Sequence, residues 1–289
     1  MKEIVQKKLN DSPYMRWTAL VLLASAMFFG YIFMDILSPL QELLQTQRGW
    51  DPVAYGHYAG SETFLNVFVF FLIFAGIILD KMGVRFTAIL SGSVMLVGAL
   101  VNWYAVSNSF IGSEAEVFMN DFLNLPASWW NVTPFYEGMP ASAKMSACGF
   151  MLFGCGVEMA GITVSRGIVK WFKGKEMALA MGVEMAIARV GVAVVVLGSP
   201  FLASIHPVDV SRPVAVAVLL LLIGLISFIC YAVMDKKLDA QGAEEEKDDP
   251  FRISDLGKIL SSKVFWLVAL LCVLYYSAIF PFQKYAINM

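Results

Sequence analysis

The chain is organised as long apolar stretches separated by shorter polar connections. Seven stretches are long enough to cross a membrane, because a hydrocarbon core about 30 Å thick takes roughly 20 apolar residues as a helix. They cover residues 17–39, 55–79, 86–106, 141–168, 177–203, 214–233 and 264–286. Their residues do not alternate between apolar and polar as in the strands of a membrane barrel. Each is therefore predicted to be a helix that satisfies its own backbone hydrogen bonds.

Composition supports lipid as the main solvent of this chain. Hydrophobic residues make up 58% of the sequence and charged residues 15%, whereas soluble domains carry about a quarter charged residues. The first stretch is too long for a cleavable signal peptide and continues through Asp35, so it is predicted to remain as the first helix. The net charge of −2 and the lack of a basic run with interleaved aromatics give no indication of a nucleic-acid partner.

The positive charges predict how the chain is threaded. Lys and Arg are concentrated in the N-terminal tail and in the connections after the second, fourth and sixth stretches, whereas the opposite side carries only Arg48 and Arg212. Cytoplasmic connections are enriched in Lys and Arg, so the N-terminus is predicted to be cytoplasmic. A bacterial inner (cytoplasmic) membrane is the expected location.

Two long connections divide the chain. Residues 108–140 are predicted to form an insertion on the outer face, where Ser113 and Glu116 have the spacing of a capping box for a short helix through Phe122. Residues 235–262 are predicted to be a charged cytoplasmic linker. A six-helix half over residues 1–234 and a seventh helix at 263–289 match the half-repeat of a pseudo-symmetric transporter. The rest of a second half, which would pack against the first six helices, is expected beyond this sequence.

A gating motif lies between the second and third stretches. Residues 76–85 read GIILDKMGVR, in which a glycine allows close helix contact, a second glycine allows a tight turn, and an acid and bases can form ion pairs that break on opening. The motif residues are Gly76, Asp80, Lys81, Gly83 and Arg85. This pattern resembles the signature of the major facilitator superfamily, which implies an all-α membrane fold and transport by alternating access.

A second set of residues narrows the resemblance. The pattern they form resembles the branch that contains the lysosomal dipeptide transporters and their bacterial relatives. The set consists of residues 171–176, Gly182, residues 188–191 and Glu158. The chain departs from the wider superfamily at Phe150, where an arginine often stands. That departure weakens the case for proton coupling through such an arginine.

Two opposite charges are predicted near the middle of the membrane. An ionisable side chain there costs at least about 2.5–3.5 kcal/mol, so it requires a functional or structural reason. Glu158 in the fourth stretch and Arg189 in the fifth lie at similar predicted depth. A dipeptide is a zwitterion, and the resemblance implies that the glutamate accepts its N-terminus and the arginine its C-terminus. Alternatively, the two side chains form a structural ion pair.

Further intramembrane residues are weaker candidates. Asp35 and Glu62 could each bind a proton, line the cavity or cap a neighbouring helix, and Asp35 is also a candidate for substrate binding. Tyr31 is a candidate cavity-lining residue. Glu184 is expected to belong to the gating network. Lys144 and Lys284, near outer helix ends, are expected to extend toward the interface.

These observations predict a transporter of dipeptides or similar zwitterions, by uniport or proton coupling. The alternative is a carrier of small mono- or dicarboxylates, in which Arg189 binds the carboxylate and Glu158 serves as proton site or ion-pair partner. A membrane sensor without transport is a third possibility, with no soluble signalling segment to favour it. The sequence lacks HExxH, GxSxG and metal-ligand spacings, so no enzyme activity, cofactor or metal is predicted.

Overall fold

The computed structural model describes residues 8–126, 134–241, 257 and 259–285. The chain divides into two compact units, Met1–Glu244 and Glu245–Met289. The described secondary structure is helical throughout. The helices of the first unit are α1 Pro13–Asp35, α2 Gln41–Arg48, α3 Pro52–Phe68, α4 Phe71–Val106, α5 Glu114–Asp121, α6 Ala141–Phe172, α7 Met177–Ser204 and α8 Ser211–Asp239, with 3-10 turns at Leu9–Asp11 and Ser38–Leu40. The second unit contains α9, Lys263–Tyr285.

Within the described residues, five helical segments are long and apolar enough to cross a membrane. They are Pro13–Arg48, Phe71–Val106, Ala141–Phe172, Met177–Ser204 and Ser211–Asp239. The count differs from the seven predicted stretches because the second stretch is split between α3 and α4, and α9 is described as an apolar helix only over Lys263–Ile279.

The split and the length of α4 have local backbone causes. Phe70 adopts left-handed dihedrals (φ 54°, ψ 38°), which interrupt the helix between α3 and α4. The 36 residues of α4 would extend about 54 Å as one straight helix, well beyond a bilayer core. Gly83 (φ 77°, ψ 169°) breaks its helical geometry in a region of backbone space open essentially to glycine alone. The predicted turn of the gating motif therefore lies inside α4.

Helix α6 is the centre of the first unit and packs against α1, α3, α4, α5 and α7. Glycines allow two of these contacts to be very close. A Cβ on Gly98 would lie 2.5 Å from the Phe153 amide nitrogen, and one on Gly156 would lie 2.7 Å from the Met95 nitrogen. The pairing of 98 with 153 and 95 with 156 makes the later part of α4 antiparallel to α6.

Long-range contacts define two ends of the first unit. The basic end contains residues 8–17, 80–86, 166–177 and 235–241, linked by ion pairs such as Arg85–Asp239 and Arg16–Glu176. The capped end contains residues 47–51, 106–126, 134–145 and 205–211, linked for example by the Trp50 indole donating to Ser142 Oγ at 2.8 Å. The basic end carries the lysine-rich connections that the sequence assigns to the cytoplasm.

Candidate functional site

The guanidinium of Arg189 lies against an aromatic ring of another helix. Its Cζ is 5.5 Å from the ring centroid of Tyr31, within the range of a cation–π contact. Tyr31 is half-buried on α1, and Arg189 is exposed on α7. The structure thus brings together two of the four residues predicted to bind substrate.

Tyr31 is also the point at which acidic side chains from three helices converge. Its hydroxyl lies within electrostatic range of Glu62 on α3, Glu158 on α6, and Glu184 and Arg189 on α7. Glu158 and Glu184 are half-buried, whereas Glu62 is buried. The region around Tyr31 therefore combines one cation with three carboxyl groups, including Glu62, which the sequence offered only as a weaker candidate.

Glu158 and Arg189 do not pair with each other. Among the described residues, no carboxylate lies within 4.0 Å of the Arg189 guanidinium, and no basic group lies within 4.0 Å of Glu158. The alternative of a structural ion pair between them is therefore not the arrangement observed. Opposite charges near one tyrosine can attract the two ends of a zwitterion because neither charge is neutralised by the other.

Helices α1 and α7 hold Tyr31 and Arg189 in place by contacts at three levels. At the basic end, Arg16 pairs with Glu176. Midway, a Cβ on Gly191 would lie 2.8 Å from the Phe28 carbonyl oxygen, so the two backbones touch. Near the capped end, Ser199 Oγ donates to the Ile36 carbonyl at 2.6 Å. The order of these contacts makes the two helices parallel.

Asp35 is buried, as is Glu62, whereas Tyr31 and Glu158 are half-buried. Asp35 lies at the end of α1, and its charge and that of Glu62 both reach the Tyr58 hydroxyl. Tyr58 accepts a hydrogen bond from Asn102 Nδ2 at 2.9 Å and stacks on Phe150 with ring centroids 4.6 Å apart. Phe150 is buried in this stack and is therefore a packing residue.

The charged residues of the gating motif contact two different helices. Asp80 pairs with Arg166 on α6. Arg85 pairs with Asp239 on α8 at 3.1 Å. Asp239 and Asp235 both bind Lys170, at 2.7 Å and 2.8 Å, and Asp235 also accepts a hydrogen bond from the Trp171 indole. The turn at Gly83 thus joins the basic ends of α4, α6 and α8.

Three other residues assigned to gating lie outside these ion pairs. Lys81 is exposed, and the structure records no carboxylate within 4.0 Å of it in the described part of the chain. A Cβ on Gly76 would meet nothing within 4 Å, so the predicted close helix contact is not made among the described residues. Glu184 is near Tyr31 rather than near Asp80 or Arg85.

A clasp at the basic end was not predicted from the sequence. Arg16 is buried and donates to both Glu176 carboxylate oxygens at 2.9 Å and 3.0 Å. Lys175 donates to Asp11 Oδ1 at 3.0 Å. The hydrogen bond from Lys175, with a second from the Lys8 amide, lowers the pKa of the Asp11 carboxyl. A bond from its own amide, with those from Arg16, lowers the pKa of the Glu176 carboxyl.

The insertion at the capped end is held by a buried lysine. Lys144, only 1% exposed, donates to the carbonyls of Asn120 and Phe122 and to Asn124 Oδ1. The expectation that it extends to the interface is therefore wrong, because these three acceptors satisfy its ammonium inside the protein. The predicted cap at Ser113 is present, with its Oγ accepting from the Glu116 amide, and the Glu116 carboxylate accepts from the Gly112 amide. The side chain of Lys284 lies outside the described residues.

The site contains no arrangement suited to a metal. Within the described ranges, no group of three His, Cys, Asp or Glu side chains is placed to hold a metal ion. The four cysteines are unpaired thiols, with Cys148 and Cys155 packed inside the first unit. The chemistry available at the site is that of charge, hydrogen bonding and an aromatic ring.

These features define a helical multi-pass membrane protein whose intramembrane charges suit a small polar solute. The chain belongs to the Major Facilitator Superfamily, whose sequence model matches residues 23–287. Membership points to a transporter of small solutes and not to an enzyme.

Curated relatives narrow the comparison within that family. The chain is similar to proteins named lysosomal dipeptide transporter MFSD1 from Danio rerio (29% identical over 144 residues), Gallus gallus (31% over 145) and Homo sapiens (26% over 144). Each alignment covers 46% of this chain and 31%, 32% and 30%, respectively, of the relative. The chain therefore aligns with only about a third of each relative. No solved structure matches the chain.

Proposed function

We propose that the chain is part of an alternating-access transporter for dipeptides or similar small zwitterions. The observation that carries this proposal is that Glu158 and Arg189 are both near Tyr31 and yet unpaired with each other. Glu158 binds the ammonium group of the passenger, and Arg189 binds its carboxylate. The similarity to proteins named as dipeptide transporters supports the same assignment.

The balance of charge favours this passenger over the alternative. A mono- or dicarboxylate would meet one guanidinium and three acidic side chains around Tyr31. Like charges repel one another, and a partly buried site screens that repulsion less than water does. A zwitterion offers each sign of charge a partner, so the organic-anion carrier is the second candidate.

The remaining parts of the chain have proposed roles in the same cycle. The ion pairs of Asp80 and Arg85 close the basic end and break when that end opens, with Gly83 as the turn between them. Glu184 belongs to the wall of the substrate site, and Asp35 is a buried carboxyl that could take a proton if transport is proton-coupled. The chain lies in a bacterial inner membrane with its N-terminus in the cytoplasm, and a second half packs against helices α1 to α8.

Uptake into proteoliposomes tests the proposal. The gene product that contains residues 1–289 should take up labelled dipeptide, and should take up labelled dicarboxylate much more slowly. Glu158→Gln should lose most dipeptide uptake, whereas Glu114→Gln, at an exposed position on α5, should retain it.

Chemically blocked substrates assign each end of the passenger. An N-acetylated dipeptide lacks the ammonium group, so its weak uptake should be indifferent to Glu158→Gln. A dipeptide amide lacks the carboxylate, so its uptake should be indifferent to Arg189→Lys. Full-rate dipeptide uptake by Glu158→Gln, or preferred uptake of the dicarboxylate, would overturn the assignment.

A further inference from the structure

An exposed apolar stripe runs along the outside of α8. Its large side chains are between 42% and 61% exposed, and they recur at helical spacing. They are Leu219, Leu222, Ile223, Ile226, Ile229 and Val233. Within the described part of the chain these side chains are left exposed, as expected of a membrane helix that presents an apolar stripe to acyl chains.

Two lysines continue the same stripe at the basic end. Lys236 and Lys237 are both exposed and follow Val233 by about one helical turn, or about 4.5–6 Å along the axis. About 36 Å of helix separates Arg212 from Lys236, slightly more than a bilayer core of about 30 Å. The two ammonium groups are therefore positioned at the depth of lipid headgroups when the stripe faces the acyl chains.

The acidic groups near these lysines are already bound by other cations. Asp80 pairs with Arg166, Asp235 with Lys170, and Asp239 with Lys170 and Arg85. Lys81, Lys236 and Lys237 have no carboxylate within 4.0 Å among the described residues. Among the described residues, the basic end of α8 therefore carries exposed positive charge that no neighbouring carboxylate pairs with.

We propose that Lys236 and Lys237 bind the phosphate of an anionic phospholipid whose acyl chains lie along the α8 stripe. Charge complementarity selects an anionic headgroup, and the apolar stripe selects a lipid over a soluble phosphate. The exposed ring of Phe86, next to Arg85, adds apolar surface on α4 at the basic end. The acidic run from Glu244 to Asp249 lies outside the described residues and forms no part of the proposed site.

The proposed lipid site lies next to an ion pair of the gating motif. Asp239 follows Lys237 by two residues on α8 and pairs with Arg85 on α4. A bound anionic lipid would therefore stabilise the arrangement in which these two helices are joined. The lipid site does not depend on which solute the protein carries.

Native mass spectrometry of the detergent-solubilised gene product tests the site. Phosphatidylglycerol is titrated against phosphatidylcholine, and the apparent Kd of the first bound lipid is measured. We expect phosphatidylglycerol to bind more tightly, and Lys236→Gln/Lys237→Gln to weaken its binding by roughly tenfold or more, since each juxtamembrane lysine contributes about fivefold. Binding of phosphatidylcholine should be unchanged.

Matched variants separate this site from general positive charge. Lys236→Arg/Lys237→Arg keeps the charges and should keep the preference, and Lys263→Gln removes a lysine from the start of α9 and should leave it intact. If the double glutamine variant does not fold, the single variants Lys236→Gln and Lys237→Gln provide the measurement. An unchanged preference in the glutamine variants would overturn the site, and equally tight binding of free glycerol phosphate would overturn its assignment to a lipid.

Discussion

Gly154 on α6 lies directly against the backbone of Glu62 on α3, so closely that a Cβ at this position would come within 2.0 Å of the Glu62 carbonyl oxygen. Asn66 adds a hydrogen bond from its Nδ2 to the Gly154 carbonyl at 3.4 Å. This backbone contact fixes the position of Glu62 relative to α6. Gly154 precedes Glu158 by four residues, or about one helical turn. The alignment of two carboxyl groups of the candidate site therefore depends on the absence of a side chain.

Gly154→Ala should destabilise the protein, because the new methyl group meets backbone that cannot rotate away. Overpacking of this kind costs about 1–3 kcal/mol, and more where backbone must shift. Thermal unfolding in detergent measures the effect. Gly161→Ala on the same helix is the control, because a Cβ there meets nothing within 4 Å, and it should be neutral or slightly stabilising. Equal stability of both variants would contradict the contact.

Tyr31→Leu should weaken recognition of the substrate carboxylate, because Arg189 loses the aromatic face that orients it. A cation–π contact contributes about 0.5–2 kcal/mol, so KM for dipeptide should rise about 2- to 30-fold. Tyr31→Phe keeps the ring and should stay near the wild-type KM. A dipeptide amide should respond much less to Tyr31→Leu. If phenylalanine is as damaging as leucine, the hydroxyl and not the ring carries the role of Tyr31.

Lys144→Met should loosen the insertion at the capped end. The substitution keeps the volume of the side chain but removes the donor that two partly buried carbonyls and the Asn124 amide oxygen share, at a cost of about 1–3 kcal/mol. Hydrogen exchange over residues 114–124 should accelerate, while exchange in α8 should not change. Asn124→Ala removes only one acceptor and should have a smaller effect. Unaltered exchange in Lys144→Met would show that other contacts hold the insertion.

The clasp at the basic end should make stability depend on acid pH. The folded-state pKa values of Glu176 and Asp11 are lowered, so the clasp contributes fully above the unfolded carboxyl pKa of about 4. Its contribution is lost as the pH falls through the lowered values. The difference in unfolding midpoint between wild type and Glu176→Gln should be largest at neutral pH and shrink in acid. Glu42→Gln, at an exposed position, should have the same unfolding midpoint as wild type at every pH. If the midpoint of Glu176→Gln were lower than that of wild type by the same amount at every pH, the ion pair would not be the source of the pH dependence.

Local features of the fold were predictable because they depend on neighbouring residues. Ser113 and Glu116 are three residues apart, and the cap forms where their spacing indicated. Gly83 is the turn of its motif for the same reason. The interruption at Phe70 was not predictable, since an aromatic residue within an apolar run carries no signal for left-handed backbone. Tertiary packing overrides local preference there.

The candidate site was predictable in its residue types and not in its geometry. The cost of burying charge singled out Glu158 and Arg189 from the sequence alone. Tyr31 was itself a candidate, but its proximity to Arg189 depends on how α1 and α7 pack, and the sequence carries no signal for which charge the ring contacts. The clasp between Arg16 and Glu176 joins residues distant in the chain, so it carries no short-range pattern.

The contacts between α1 and α7 also bear on how strongly a substrate is held on each side of the bilayer. They join Arg16, Phe28 and Ile36 to Glu176, Gly191 and Ser199, respectively. In the proposed alternating-access cycle, these contacts would keep the spacing of Tyr31 and Arg189 the same whichever compartment the two residues face. A carboxylate would then be held with equal strength on both sides of the membrane. Any uphill accumulation of solute must take its asymmetry from groups outside this pair of helices.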